Sequence, residues 1–95
     1  MERIADVIQW AKDRNLIEGS DPKTQMLKCI SECGELADNI IKENDVRDDI
    51  GDVLVTLIII AEQYGLTLDE CLEVAWNDIR DRKGKMVNGC YIKEA

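Results

Sequence analysis

Four acidic residues could do chemistry together: Glu32 and Glu35 on one helix, Asp49 and Asp52 on the next. Residues three apart on a helix of 3.6 residues per turn lie roughly 60° from each other, so each pair shares an edge. Carboxylates that meet repel one another, and a divalent cation relieves the repulsion. Hard oxygen donors of this kind suit Mg²⁺, with Mn²⁺ as a substitute. The same charges also have an ordinary use. Asp45, Asp48 and Asp49 fall at the opening of their helix, where negative charge complements the macrodipole and Asp45 reads as an N-cap. Glu32 and Glu35 could likewise be a solvated face. Asp52 fits that account less well, because it sits a turn further in, directly before an apolar run.

The rest of the composition narrows the chemistry. Without a histidine or a C-x-x-C pair, the chain lacks the usual zinc ligands, His-based triads and di-iron sites of the Glu-x-x-His type. Acid–base work falls to carboxylate, Lys, Tyr or Cys. A net charge of −8 argues against a nucleic-acid polymer or an anionic membrane as partner, since both reward cationic surfaces. The longest apolar stretch, Val53 to Ala61, is too short to span a bilayer. Cys29, Cys33, Cys71 and Cys90 read as reduced thiols in a cytoplasmic protein, with no secretory signal before them.

Positioning the acids requires helices, and the periodicity predicts four in a single domain spanning 1–95, an all-α four-helix-bundle-like protomer. Ile4, Val7, Ile8 and Ala11 mark the first, over about residues 2–18. Asp21 as N-cap and Pro22 at the first helical position open the second, which runs to about Glu43 with Leu27, Ile30, Gly34, Ala37 and Ile41 as its inward stripe. The third extends from about Val46 to Tyr64 and closes on Gly65. Thr67 and Glu70 have capping-box spacing, so the fourth begins there, carries Leu68, Cys71, Leu72, Ala75 and Ile79 inward, and ends near Lys83 or Gly84. Beyond it, Asn88-Gly89 between Met86-Val87 and Cys90-Tyr91-Ile92 signals a short C-terminal hairpin. The brief connection between helices two and three makes them antiparallel neighbours, which lets the four acids converge.

From Val53 to Ala61 helix three is apolar around its circumference except at Thr56. Such a helix is buried on every side. Either its three neighbours cover it, or, as we favour, a homo-oligomer forms through helix three and helix two.

Ser31-Glu32-Cys33-Gly34-Glu35-Leu36, followed by Asp49-Ile50-Gly51-Asp52-Val53-Leu54, resembles the E-E-x-x-E and E-x-x-D signature of the all-α nucleotide pyrophosphohydrolases, in particular the MazG-like branch. Ser31 stands where that signature begins with Glu, and Asp49 where it usually has Glu. The resemblance implies Mg²⁺-dependent hydrolysis of a nucleoside or deoxynucleoside triphosphate to the monophosphate and pyrophosphate. Glu32, Glu35, Asp49 and Asp52 would be the metal ligands, and Glu32 or Glu35 the base that accepts a proton from water. Dimers and tetramers are both open.

Phosphate also needs cations, and helix four ends in Asn77, Arg80, Arg82 and Lys83, followed by Lys85. They are candidate substrate-binding residues, although cations near a helix C-terminus also complement the dipole without any ligand. Trp10 sits off the centre of its stripe, where it could stack on a base or simply pack. Three other readings compete. Asp48-Asp49-Ile50-Gly51-Asp52 matches the D-D-x-x-D of isoprenoid synthases, but 95 residues are too few to enclose a hydrocarbon chain. A non-catalytic helical oligomerisation or regulatory module would use the acids only for solubility. A phosphoribosyl-ATP pyrophosphohydrolase is a close cousin within the enzyme reading.

Overall fold

The computed structural model describes residues 2–94. Four helices are followed by a two-stranded antiparallel ribbon: α1 Glu2–Asp13, α2 Pro22–Ile41, α3 Arg47–Gln63, α4 Leu68–Ile79, β1 Gly84–Val87 and β2 Cys90–Lys93. Helices α2 and α4 begin where the capping chemistry demands, whereas α3 opens at Val46 with no side-chain cap, because Asp45 lies one residue earlier and accepts from the Arg47 N–H at 3.0 Å. Asp21 Oδ1 accepts from the Thr24 N–H at 2.7 Å, with Pro22 at the first helical position. Thr67 and Glu70 close a reciprocal capping box at 3.1 and 3.0 Å. Asn88 and Gly89 take φ of 50° and 81°, the two positive values a type I′ hairpin turn needs.

Helix ends depart from expectation for a common reason. Leu16 N–H reaches back to Ala11 O at 2.9 Å while Asn15 sits at φ 57°, so a Schellman-type closure ends α1 at Asp13 rather than near residue 18. Glu43 at φ 59° and Gly65 at φ 70° end α2 and α3 in the same way. Only the glycine advertised itself in the sequence. Helix α4 stops at Ile79, short of the expected Lys83 or Gly84.

Helix α3 is the hub. It packs most extensively on α2, then on α1, and makes only a small contact with α4. The buried centre is Ala11, Cys29, Thr56, Ile58, Ile59 and Ala61, joined by the acids Glu32 and Asp49. Thr56 is accommodated because its hydroxyl donates to Val53 O at 2.7 Å.

Which faces are covered corrects the sequence reading in three places. On α2 the residues toward α3 are Cys29, Glu32, Leu36 and Asn39, whereas the apolar stripe of Leu27, Ile30 and Ile41 faces outward, Leu27 and Ile41 being 70 % and 80 % exposed. The apolar run of α3 is not covered by its three neighbours, the alternative reading, since Leu54 and Leu57 remain exposed within the protomer, as does Ile50 before the run. Helix α4 buries nothing: it departs from α3 at 99°, and Leu72, which was expected inward, stands out in solvent. The resulting radius of gyration is 15.9 Å, against about 12 Å for a compact domain of this length. Among the described residues no single helix is long and apolar enough to cross a membrane.

Candidate metal centre

The acids converge because α2 turns one polar edge toward α3. Glu32 and Asp49 are buried where the helices meet, at 7 % and 8 % exposure, while Glu35 lies at the outer margin and Asp52 is half-buried. Glu32, Glu35 and Asp52 each offer one carboxylate oxygen, and all three oxygens lie within 4.8 Å of one another. Asp49 falls outside this group. Both of its oxygens accept from the Asn39 side-chain N–H₂ at 3.1 Å, which fixes the carboxylate across the helix pair.

The electrostatics record the crowding. Contact with Glu32 pushes the Glu35 carboxyl above its ordinary pKa, with desolvation adding to the rise, Asp49 contributing and Lys28 opposing. Asp52 is also raised, first by partial burial and then by Asp48, Glu32 and Asp49. Lys28 stands 3.0 Å from Glu32 Oε1, and this partner raises the lysine pKa. The second oxygen, Glu32 Oε2, is buried with no hydrogen-bond partner. A carboxylate oxygen sealed from water without a donor is costly, and a cation would relieve that cost. An all-oxygen donor set with such an orphaned atom fits a hard divalent ion.

Trp10 lies near this centre. With Asp6, Val7 and Val55 it lines a cavity of about 440 Å³ that also includes Asp52. An adjoining cleft of about 390 Å³ continues between α1 and α3 past Ile4 and Leu54 to Leu68, again touching Asp52. One face of the Trp10 ring is covered by the Arg14 guanidinium at 4.7 Å.

Asn77, Arg80, Arg82 and Lys83 are not brought to the acids within the protomer, because α4 meets only α3 and diverges from it. All four are exposed, and three have acidic neighbours close by in the sequence: Asn77 with Glu73, Arg80 with Asp81 and Arg82 with Asp78. Two residues that shape the centre escaped the sequence reading. Lys28 lies four before Glu32, ordinary ion-pair spacing that was there to be seen. Asn39 gave no sign, since its role depends on the position of Asp49 in the neighbouring helix.

A helix pair that presents clustered, partly buried carboxylates beside an apolar cleft defines a class: a helical protein whose acids could hold a divalent cation next to that cleft. The particular family follows from comparison. The sequence model of the MazG nucleotide pyrophosphohydrolase domain matches residues 20–87, and the chain belongs to that family. It is also 42 % identical over 62 residues to an uncharacterized 18.2 kDa protein in the rep-hol intergenic region of Haemophilus phage HP1, a match covering 63 % of this chain. The chain spans only 38 % of that relative's length. No solved structure matches.

Proposed function

We propose that the chain hydrolyses a nucleoside or deoxynucleoside triphosphate to the monophosphate and pyrophosphate. The observation that carries this reading is the convergence of Glu32, Glu35 and Asp52 on one point, with a buried Glu32 oxygen that has no partner. Family membership supplies the nucleotide class. Glu32, Glu35 and Asp52 would hold Mg²⁺, or Mn²⁺ in its place, with Asp49 completing the acidic wall. Bound there, the ion would neutralise phosphate charge and acidify an attacking water.

The chain's own groups divide the remaining work. Glu35 is the better candidate for the base, since it is exposed whereas Glu32 is buried and paired with Lys28. A carboxylate whose pKa is raised binds a proton more readily than an ordinary one. Asn39 keeps Asp49 oriented by donating to both of its oxygens. Trp10 would stack on the base at the mouth of the apolar cleft, close to Asp52. Arg80, Arg82, Lys83 and Asn77 would serve the phosphates within a homo-oligomer, from the arm of another copy. The setting is the cytoplasm, where the four cysteines stay reduced.

Incubation with each common NTP and dNTP in Mg²⁺, with pyrophosphate and orthophosphate measured separately, tests the reading. Pyrophosphate release that disappears in Glu35→Gln and Asp52→Asn is expected. Orthophosphate as the product, or no turnover of any nucleotide, would overturn it. Turnover of phosphoribosyl-ATP alone would move the assignment to that substrate.

A further inference from the structure

Among the described residues, three ion pairs join side chains four apart in the sequence: Lys28–Glu32, Lys42–Asp38 and Arg82–Asp78. The last two set the acid before the base, the order a helix favours, and both of their acids are exposed. Lys28–Glu32 has the reverse order, and its acid is buried. Helical side chains lean toward the N-terminus, so Lys28 reaches Glu32 against its own lean. Helix formation does not account for this pair, whereas the charge of the acidic centre does.

Lys28 serves more than its bonded partner. Its charge opposes the pKa rise at Glu35 and at Asp52, so one ammonium acts on all three carboxylates that converge. It stands 3.0 Å from Glu32 Oε1, while Glu32 Oε2 stays buried with no donor. A single charge at the open side leaves unsatisfied what a divalent ion among the oxygens would satisfy. The lysine side chain is 62 % exposed on a flexible four-carbon stem, so it can leave at small cost. Other cations of the protomer are engaged or distant. Arg3 lines the neighbouring cleft but donates to Asp6 at 2.8 Å, and α4 carries Arg80, Arg82 and Lys83 away from the acids.

We infer that Lys28 is a resident counter-ion of the acidic centre, displaced from Glu32 by the divalent ion and then taken up by the triphosphate of the substrate. Glu32, Glu35, Asp49 and Asp52 together carry more negative charge than one divalent ion cancels, and a triphosphate is itself a polyanion. An ammonium freed at the rim of the centre would bridge the two with charge-assisted hydrogen bonds. The same ammonium repels an ion arriving at the oxygen beside it, so it also sets how tightly that ion is held. The counter-ion role rests on the geometry of the centre, and only the contact with triphosphate rests on the proposed function.

Lys28→Met removes the charge and keeps the length of the stem, and Lys28→Arg keeps the charge. In EDTA at pH 7 the Met variant should melt below the parent, and excess Mg²⁺ should narrow the gap. Mn²⁺ titrated into the full chain without nucleotide, with the free ion followed by electron paramagnetic resonance, should bind Lys28→Met severalfold more tightly than the parent. The α,β-imido analogues of the common dNTPs in Mg²⁺ should bind Lys28→Met about tenfold more weakly, by a similar factor for every base, with Lys28→Arg close to the parent. Unchanged or weaker Mn²⁺ binding in Lys28→Met would reduce the pair to an ordinary surface contact and overturn the counter-ion role. Unchanged analogue binding, or a loss confined to one base, would overturn the phosphate contact. A parent that binds Mn²⁺ but none of the analogues would sink the proposed function, while the Mn²⁺ comparison still judges the counter-ion. A parent that releases pyrophosphate, with Lys28→Met indistinguishable from it in every assay, would sink this inference alone.

Discussion

The α2–α3 layer and the arm formed by α4 and the ribbon are built on opposite terms. Where α2 meets α3, polar groups are buried and held: Glu32 by Lys28, Asp49 by Asn39, Thr56 by its own backbone. The arm has strong local order, with a reciprocal cap and an Asn-Gly turn, yet no residue from Cys71 to Glu94 is buried. Local propensity thus specifies the arm's elements, while nothing within the protomer specifies where its apolar side packs. The lesson is that helix formation and helix burial are separate decisions. The layer makes both among the described residues, and the arm makes only the first.

The comparison breaks most visibly through activity. If the chemistry resides in the layer, Glu32→Gln or Asp52→Asn should cut pyrophosphate release more than about 100-fold, since losing even an outer-shell partner of a metal typically costs 10–100-fold. Steady-state rates at saturating Mg²⁺ would show it. Equal losses from Glu73→Gln, a surface acid on the arm, would mean that the layer is not special. Next in size is Asn39→Ala, which leaves the buried Asp49 carboxylate without its donor and should lower unfolding free energy by about 1–3 kcal/mol in urea titrations. Adding Asp49→Ala should cost less than the sum of the single changes, because the orphaned charge is then gone. A strictly additive pair would show that the two side chains do not hold each other. Smaller still is Thr67→Ala, which removes one half of the capping box on α4 and should cost about 1 kcal/mol. Amide exchange should confine the loss to α4 and the ribbon; spread into α2 would erase the distinction between the regions.

Much of this was legible because it is local. Asp21-Pro22, Thr67 to Glu70, Gly65 and Asn88-Gly89 each name their own backbone geometry, and each appears where the sequence placed it. The acids were legible in spacing, and three of the four share a point. The faces of α2 were not. Its apolar stripe reads as inward by ordinary amphipathic logic, but the helix spends its polar edge on the site and leaves the stripe outside. Sequence periodicity records that a face is apolar, not which neighbour it meets. For the same reason Asn39 was invisible and Leu72 was misplaced: each depends on the neighbour a helix finds rather than on its own pattern.

The finest test concerns pH in the absence of divalent ions. Glu35 and Asp52 have pKa values raised above their ordinary 4.5 and 3.8, so in the window above those values the folded chain binds protons that the unfolded chain has released. Stability therefore falls as pH rises through the folded values, and the penalty is absent below the ordinary ones. Asp21 and Asp45 work in the other direction. Their values are lowered, by the Thr24 backbone N–H and by the Arg47 side chain respectively, so their contributions are present above 3.8 and lost as pH falls through the folded values. A single melting curve against pH mixes the two, and a difference separates them. In EDTA, the Tm of Glu35→Gln minus that of the parent should be near zero at pH 3 and should grow positive toward pH 7, because the variant lacks the crowded charge while keeping both helix-opening acids. Excess Mg²⁺ at pH 7 should shrink or reverse the difference, since the ion relieves in the parent what the substitution relieves in the variant. A difference that stays flat across pH, and is untouched by Mg²⁺, would place Glu35 among the ordinary solvated charges of the arm and dissolve the contrast between the two regions at its chemical centre.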